Sequence, residues 1–205
     1  ADEFTRIQRV HTGRGIVLDD GWPGAGTIPE LVERSSGTFI YASTIVRYVD
    51  DEYSHPVDRL DAVLRLDRSS TTPLDDLYGQ ILSEVTNRPV LLRVLHAIME
   101  TIDLDPEQID IALQMRSGTS RITLRGLHSL LQLPPVRIFD HRITPVKLLH
   151  ASFGDFLVDV QRSSTFCTSG EELRIALVHS MACALESGVQ PLDFRYVFPT
   201  FLRFI

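Results

Sequence analysis

The chain has 205 residues, 43% hydrophobic and 23% charged, an ordinary soluble composition able to bury one large core or two small ones, with no internal repeat and no low-complexity tract. A formal charge of −7 and a pI near 5.4 argue against affinity built on neutralising phosphates, so nucleic acid is not the expected partner. Cys167 and Cys183 are too few and too poorly spaced for a disulfide framework or a Cys-based zinc site and read as small apolar residues of a reducing compartment, the cytosol. Neither a bilayer-spanning run of roughly 20 apolar residues nor a basic-then-apolar leader is present.

The chain opens in what reads as a helix carrying Phe4 and Ile7 and stops at Ile205 after Phe198, Phe201, Leu202 and Phe204; both ends read as cut, and a fragment of a longer protein is expected. Residues 10–26, rich in Gly and Asp around Trp22-Pro23, read as a loop. Thr27-Ile28-Pro29-Glu30 has the form of a capping box with Pro in the first turn, starting a helix through Leu31 and Val32 that Ser35-Ser36-Gly37 interrupts. A helix over residues 39–49 follows, ended in solvent by Asp50-Asp51-Glu52, with His55-Pro56 a further break. Leu60, Val63 and Leu64 predict a short helix, and the Ser/Thr-rich residues 68–73 a connector.

Thr72-Pro73-Leu74-Asp75 then caps a helix whose Leu74, Leu77, Tyr78, Ile81, Leu82 and Val85 fit the amphipathic template. After Asn87-Arg88-Pro89, the residues Leu91, Val94, Leu95, Ile98 and Met99 repeat it. Asp105-Pro106-Glu107-Gln108 caps a shorter helix through Ile109, Ala112 and Leu113. Ser117-Gly118 breaks it before a third, carrying Ile122, Leu127, Leu130 and Leu131, which Pro134-Pro135 stops. Residues 136–149 read as two short strands around a polar turn. Phe153, Phe156, Leu157 and Val160 form one helical face, and Ser169-Gly170-Glu171-Glu172 caps a last helix with Leu173, Leu177, Met181 and Leu185. Three short helices and a β-hairpin wing are the element order of a winged-helix domain.

Most residue clusters carry no chemistry. The sequence lacks G-x-x-x-x-G-K-[ST], G-x-S-x-G and H-E-x-x-H, and Gly13-Arg14-Gly15 is too short for a phosphate-binding fingerprint. The acidic groups Asp19-Asp20, Asp50-Asp51-Glu52 and Asp75-Asp76 lie where carboxylates favour helix N-termini or face water. His11, His55, His96, His128, His141 and His179 are scattered without sequence partners. His150 differs, because it stands where a β-rich segment meets an amphipathic helix and can present a ring N–H outside the fold. Arg121, Arg125 and His128 would share one face of the third helix, with Arg137, Arg142 and Lys147 on the hairpin, which keeps a DNA-binding winged helix open as an alternative. A helical protein-interaction adaptor is a second alternative.

Four segments, Leu31-Val-Glu-Arg-Ser-Ser-Gly-Thr-Phe-Ile-Tyr-Ala-Ser-Thr-Ile-Val-Arg-Tyr-Val49, Leu74-Asp-Asp-Leu-Tyr-Gly-Gln-Ile-Leu82, Leu124-Arg-Gly-Leu-His-Ser-Leu-Leu131 and His150-Ala-Ser-Phe-Gly-Asp-Phe-Leu157, resemble in order and spacing the region after the nucleotidase core of fungal NACHT-domain proteins. These are signal-transducing STAND NTPases related to animal NOD-like receptors. The resemblance implies a mainly α protein: a helical lid over residues 1–87, a winged-helix domain over 88–160, and the start of a further helical region over 161–205. It implies that His150 contacts the β-phosphate of ADP held by an upstream P-loop domain, the chain's own partner, and latches a closed state whose opening permits self-assembly. It also places Gly37, Thr38 and Phe39 where related STAND ATPases line the adenine with Gly-x-Pro; Phe39 stands at the Pro position and is expected in the core rather than over the base. The Walker A loop, the Mg²⁺-binding acids and the arginine sensor of a complete module are not in these residues. No metal site, no catalytic residue and no NTP hydrolysis are therefore expected of this chain, which would meet ADP or ATP only through the upstream domain.

Overall fold

The computed structural model describes residues 2–101, 104–135 and 144–186. These residues form eleven α-helices and one two-stranded sheet, a mainly α chain. No helix among them is long and apolar enough to cross a membrane. The chain divides into two compact units, Ala1–Leu82 and Ser83–Ile205.

In the first unit, α1 (Asp2–Gly13) buries Phe4, Ile7 and His11 at three- and four-residue spacing and extends into residues expected as loop. The segment after it folds back because Trp22 meets Phe4 edge-on, ring centroids 5.4 Å apart. α2 (Thr27–Ser35) ends where Ser36 and Gly37 take φ of 45° and 78°, a reversal that glycine makes without a Cβ clash. α3 (Phe39–Val49) has the expected bounds and buries Tyr41, Ile45, Tyr48 and Val49. α4 (Pro56–Leu64) and α5 (Pro73–Ser83) follow. Because α1, α2 and α4 all pack on α3, its apolar side is the centre of this core. Each side chain fully buried there contributes about 1.5–3 kcal/mol.

Two expectations about polar residues in this unit are corrected. No side chain caps α2, which begins after Gly26. The Thr27 hydroxyl donates to the Pro23 carbonyl at 2.6 Å, while the Glu30 carboxylate accepts from Arg34 at 2.6 Å and Arg68 at 2.9 Å. Guanidinium partners offer the carboxylate bonds in which both ends are charged, which a backbone N–H does not. Asp51, expected in solvent, is 6% exposed and accepts from the Ser54 hydroxyl at 2.6 Å and Arg59 at 2.8 Å. Its neighbour Asp50 accepts from Arg6 at 2.7 Å and lies 3.7 Å from the buried His11 ring. Burial pushes His11 below the ordinary imidazole value and outweighs the opposing pull of Asp50. Arg34 donates to the carbonyls of Val63, Leu64 and Leu66, satisfying the end of α4 where a cation also meets the negative end of the helix dipole.

In the second unit, α6 (Arg88–Glu100), α7 (Pro106–Ala112) and α8 (Thr119–Leu124) follow in order. Asn87 caps α6, and the Asp105–Gln108 box on α7 closes with both bonds, at 2.8 and 3.1 Å. The cap of α8 comes from α7: Asp110, 2% exposed, accepts from the Gly118 and Ser120 N–H groups at 2.6 and 2.7 Å. The third helix does not run to Leu131 as expected. After Leu124 the chain makes a 3₁₀ turn, Arg125–Leu127, through the poor helix former Gly126. Leu131–Gln132 is strand β1, antiparallel to β2 (Lys147–Leu148), with Leu131 opposite Leu148. The strand pairing therefore starts before Pro134-Pro135 rather than within 136–149. Residues 136–143, with Arg137, His141 and Arg142, lie outside the described residues, as do Phe198, Phe201, Leu202, Phe204 and the side chain of Leu185.

α9 (Ala151–Val158) buries Phe153, Phe156 and Leu157. Asp159 then turns extended and caps α10 (Val160–Ser163), so Val160, expected on the buried face, is 58% exposed. α11 (Glu171–Glu186), expected to begin a further region, packs on α6 and α7 and buries Leu177 and Met181. Ser169, expected as its cap, instead donates its hydroxyl to the Val158 carbonyl at 2.7 Å.

Candidate functional site

His150 is set by the elements on either side of it. The Leu149 N–H donates to the Leu130 carbonyl at 2.9 Å, prolonging the β1–β2 pairing to the residue before the histidine. His150 itself is extended, with φ −149° and ψ 141°, and occupies the N-cap of α9. Its Nδ1 accepts the Ser152 backbone N–H at 3.1 Å and lies 2.7 Å from the Ser152 hydroxyl. An Nδ1 that accepts a backbone N–H carries no proton in the neutral ring, so the proton sits on Nε2. The residue is exposed, and that N–H is offered at the positive end of a helix.

The helix behind it is held in place by packing. The Phe153 and Phe156 rings stack with centroids 6.4 Å apart. Gly154 is the close-approach point: a β-carbon there would come within 3.1 Å of Leu148 Cδ1 and 3.3 Å of Met99 Cε, so glycine lets α9 lie against β2 and α6. Ser152 and Gly154 were not singled out by spacing. Their only sequence signal is their place in the segment that begins at His150.

Gly37 and Thr38 lie in the turn between α2 and α3, and Phe39 is the first residue of α3, all in the first unit, whereas His150 belongs to the second. Phe39 is 84% exposed, which corrects its expected place in the core: the inward side of α3 begins at Tyr41, and Phe39 falls on the opposite side of the helix. A cavity of about 260 Å³ adjoins this turn, lined by Glu30, Arg34, Tyr41, Asp67, Arg68 and Asp76 among others, with Gly37, Thr38 and Phe39 outside its lining. Burial pushes the Tyr41 phenol above its ordinary value, opposed by the Arg34 guanidinium. The guanidinium donates to the α4 carbonyls and Glu30, and Arg68 donates to Glu30.

The basic stripe expected on the third helix is partly spent inside the fold. Arg121 donates to Glu107 at 2.9 Å and to the Pro134 carbonyl at 2.8 Å. No group of three or more His, Cys, Asp or Glu side chains among the described residues is placed to hold a metal ion. Set beside known proteins, the chain matches no family model, no curated protein and no solved structure.

Proposed function

We propose that this chain is the helical lid and winged-helix part of a NACHT-type signal-transduction NTPase, closing over ADP held by a P-loop domain ahead of it and controlling opening and self-assembly. The observation that carries the proposal is the His150 geometry: Nδ1 is committed to the α9 cap, and the Nε2–H of an exposed ring points away from that bond. A donor fixed in this way suits a phosphate oxygen of ADP, and the contact would be lost when the domain swings away. The four resembling segments and the succession of α6, α7, α8 and the short sheet support the same assignment. Within it, residues 1–87 form the lid and 88–160 the winged helix. The chain supplies a phosphate contact but no phosphate-cradling loop, so it would not hydrolyse NTP alone. The engagement of Arg121 with Glu107 and Pro134 weighs against the DNA-binding alternative, which needs free cations facing phosphates.

A latch biases a switch only by its differential energy, on the order of 1–3 kcal/mol. In the longer protein that includes the P-loop domain, His150→Ala is accordingly expected to speed ADP dissociation by about 5- to 150-fold and to shift the size distribution toward oligomers. Stopped-flow release of a fluorescent ADP and light scattering measure the two. An unchanged release rate with an unchanged size distribution would remove His150 from the switch.

A further inference from the structure

Residues 164–169 form a strap between α10 and α11. At one side it is tied to the end of α9: the Thr168 N–H donates to the Leu157 carbonyl at 2.8 Å and the Ser169 hydroxyl to the Val158 carbonyl at 2.7 Å. At the other it is tied to α6, where Arg88 lies 4.6 Å over the Phe166 ring and His96 Nδ1 lies 2.7 Å from the Thr168 carbonyl. A carbonyl only accepts, so Nδ1 holds the proton and Nε2 of the neutral ring is bare. His96 is 2% exposed, and its Nε2 is buried without a hydrogen-bond partner among the described residues.

We propose that His96 is a proton-operated catch, in which the neutral ring holds the strap on α6 and protonation at Nε2 releases it, loosening the junction of α9 with α11. Protonation would place a second, charged N–H where nothing receives it, and a buried unpaired charge favours whichever conformation brings it to water. The strap is the movable partner, since its own structure is one 3₁₀ turn, Ser164–Phe166, opened by a φ of 49° at Ser164. The Thr168 carbonyl and Glu100 of α6 favour the charged ring and Arg174 of α11 opposes it, but burial is the largest influence and the ring sits below the ordinary imidazole value. On α7 and α8, which also pack against α6, Asp110 spends its charge on Gly118 and Ser120, and Arg121 on Glu107. With the closed-state value depressed, the strap is fully held at neutral pH and is destabilised as pH falls below about 6.5, by at most roughly tenfold in open population per pH unit.

The test is amide hydrogen exchange of the strap, Thr168 above all, at about pH 7.5 and about pH 5.5, either side of the ordinary imidazole value, corrected for intrinsic exchange rates. The open population is expected to rise at the lower pH, by at most about tenfold, while α6 interior amides such as Leu95 stay unmoved. His96→Gln, which can still donate to Thr168 but does not titrate, should abolish that rise. An equal rise in H96Q, or none in the unaltered protein, overturns the catch. Should H96Q not fold, ¹⁵N spectra of the unaltered imidazole decide. Nδ1–H at neutral pH and a ring titration that coincides with loss of Thr168 protection support the proposal; Nε2–H, or a titration that leaves Thr168 protected, overturns it.

Discussion

In the first unit charged side chains reach across the fold: Arg6 to Asp50 over 44 residues, Arg68 to Glu30 over 38, and Arg34 to the carbonyls at the end of α4. In the second unit short polar side chains close nearby helix ends, as Asn87, the Asp105–Gln108 pair, His150 and Asp159 do. The contrast concerns what a broken contact leaves behind. Where an ion pair is buried, losing one end strands a charge in a packed site, whereas losing a cap frees an N–H that nearby water can take.

The largest effect should therefore come from Asp51→Ala in the first unit. Arg59 and Asp51 side chains are 13% and 8% exposed, and Arg59 also lies 4.6 Å over the Tyr48 ring, so the guanidinium cannot move to water without disturbing the core. A loss of about 3–5 kcal/mol is expected. Hydrogen exchange of the α3 and α4 amides measures it for this unit alone, and a loss below about 1 kcal/mol would erase the contrast.

Asp105→Ala in the second unit should cost about 0.5–2 kcal/mol, the usual range for a helix N-cap. Amides in the first turn of α7 report it directly. Burial pushes the Asp105 carboxyl above the ordinary range and so disfavours its charged form, which offsets part of the cap's contribution; a loss equal to that of Asp51→Ala would erase the contrast.

The same contrast decides what was legible in the sequence. A cap is written in four neighbouring residues, so Asp105-Pro106-Glu107-Gln108 could be read directly, and the bounds of α3 followed from its apolar spacing. Nothing adjacent to Asp51 announces Arg59, and nothing near Gly118 announces Asp110, because those partners meet only after the chain has folded. Leu131 misled because leucine at helical spacing also suits a strand once Leu148 arrives opposite it. Phe39 misled because an apolar residue next to a helix start is silent about which side of the helix it takes. At His150 the sequence marked the strand-to-helix junction, but the use of Nδ1 as the α9 cap, which fixes the outward N–H, was visible only in the folded backbone. The roles given to Gly37, Thr38 and Phe39 rested on resemblance alone, since no spacing around them specifies a ligand.

The smallest effect sharpens the comparison most, because it separates charge from burial inside one unit. Arg65 and Asp61 form an i,i+4 pair at 3.8 Å on the outer side of α4, with side chains 79% and 48% exposed. Water already solvates both ends, and holding two mobile side chains together costs conformational freedom. Asp61→Asn should thus change stability by less than about 0.5 kcal/mol, and 0.5 M salt should remove even that. Asp61 lies in the same unit as Asp51 and likewise faces an arginine, so urea unfolding of Asp51→Asn and Asp61→Asn side by side isolates the environment as the variable. Equal losses would show that the first unit depends on its number of ion pairs. A large loss at Asp51 with almost none at Asp61 would show that it depends on the few that are buried.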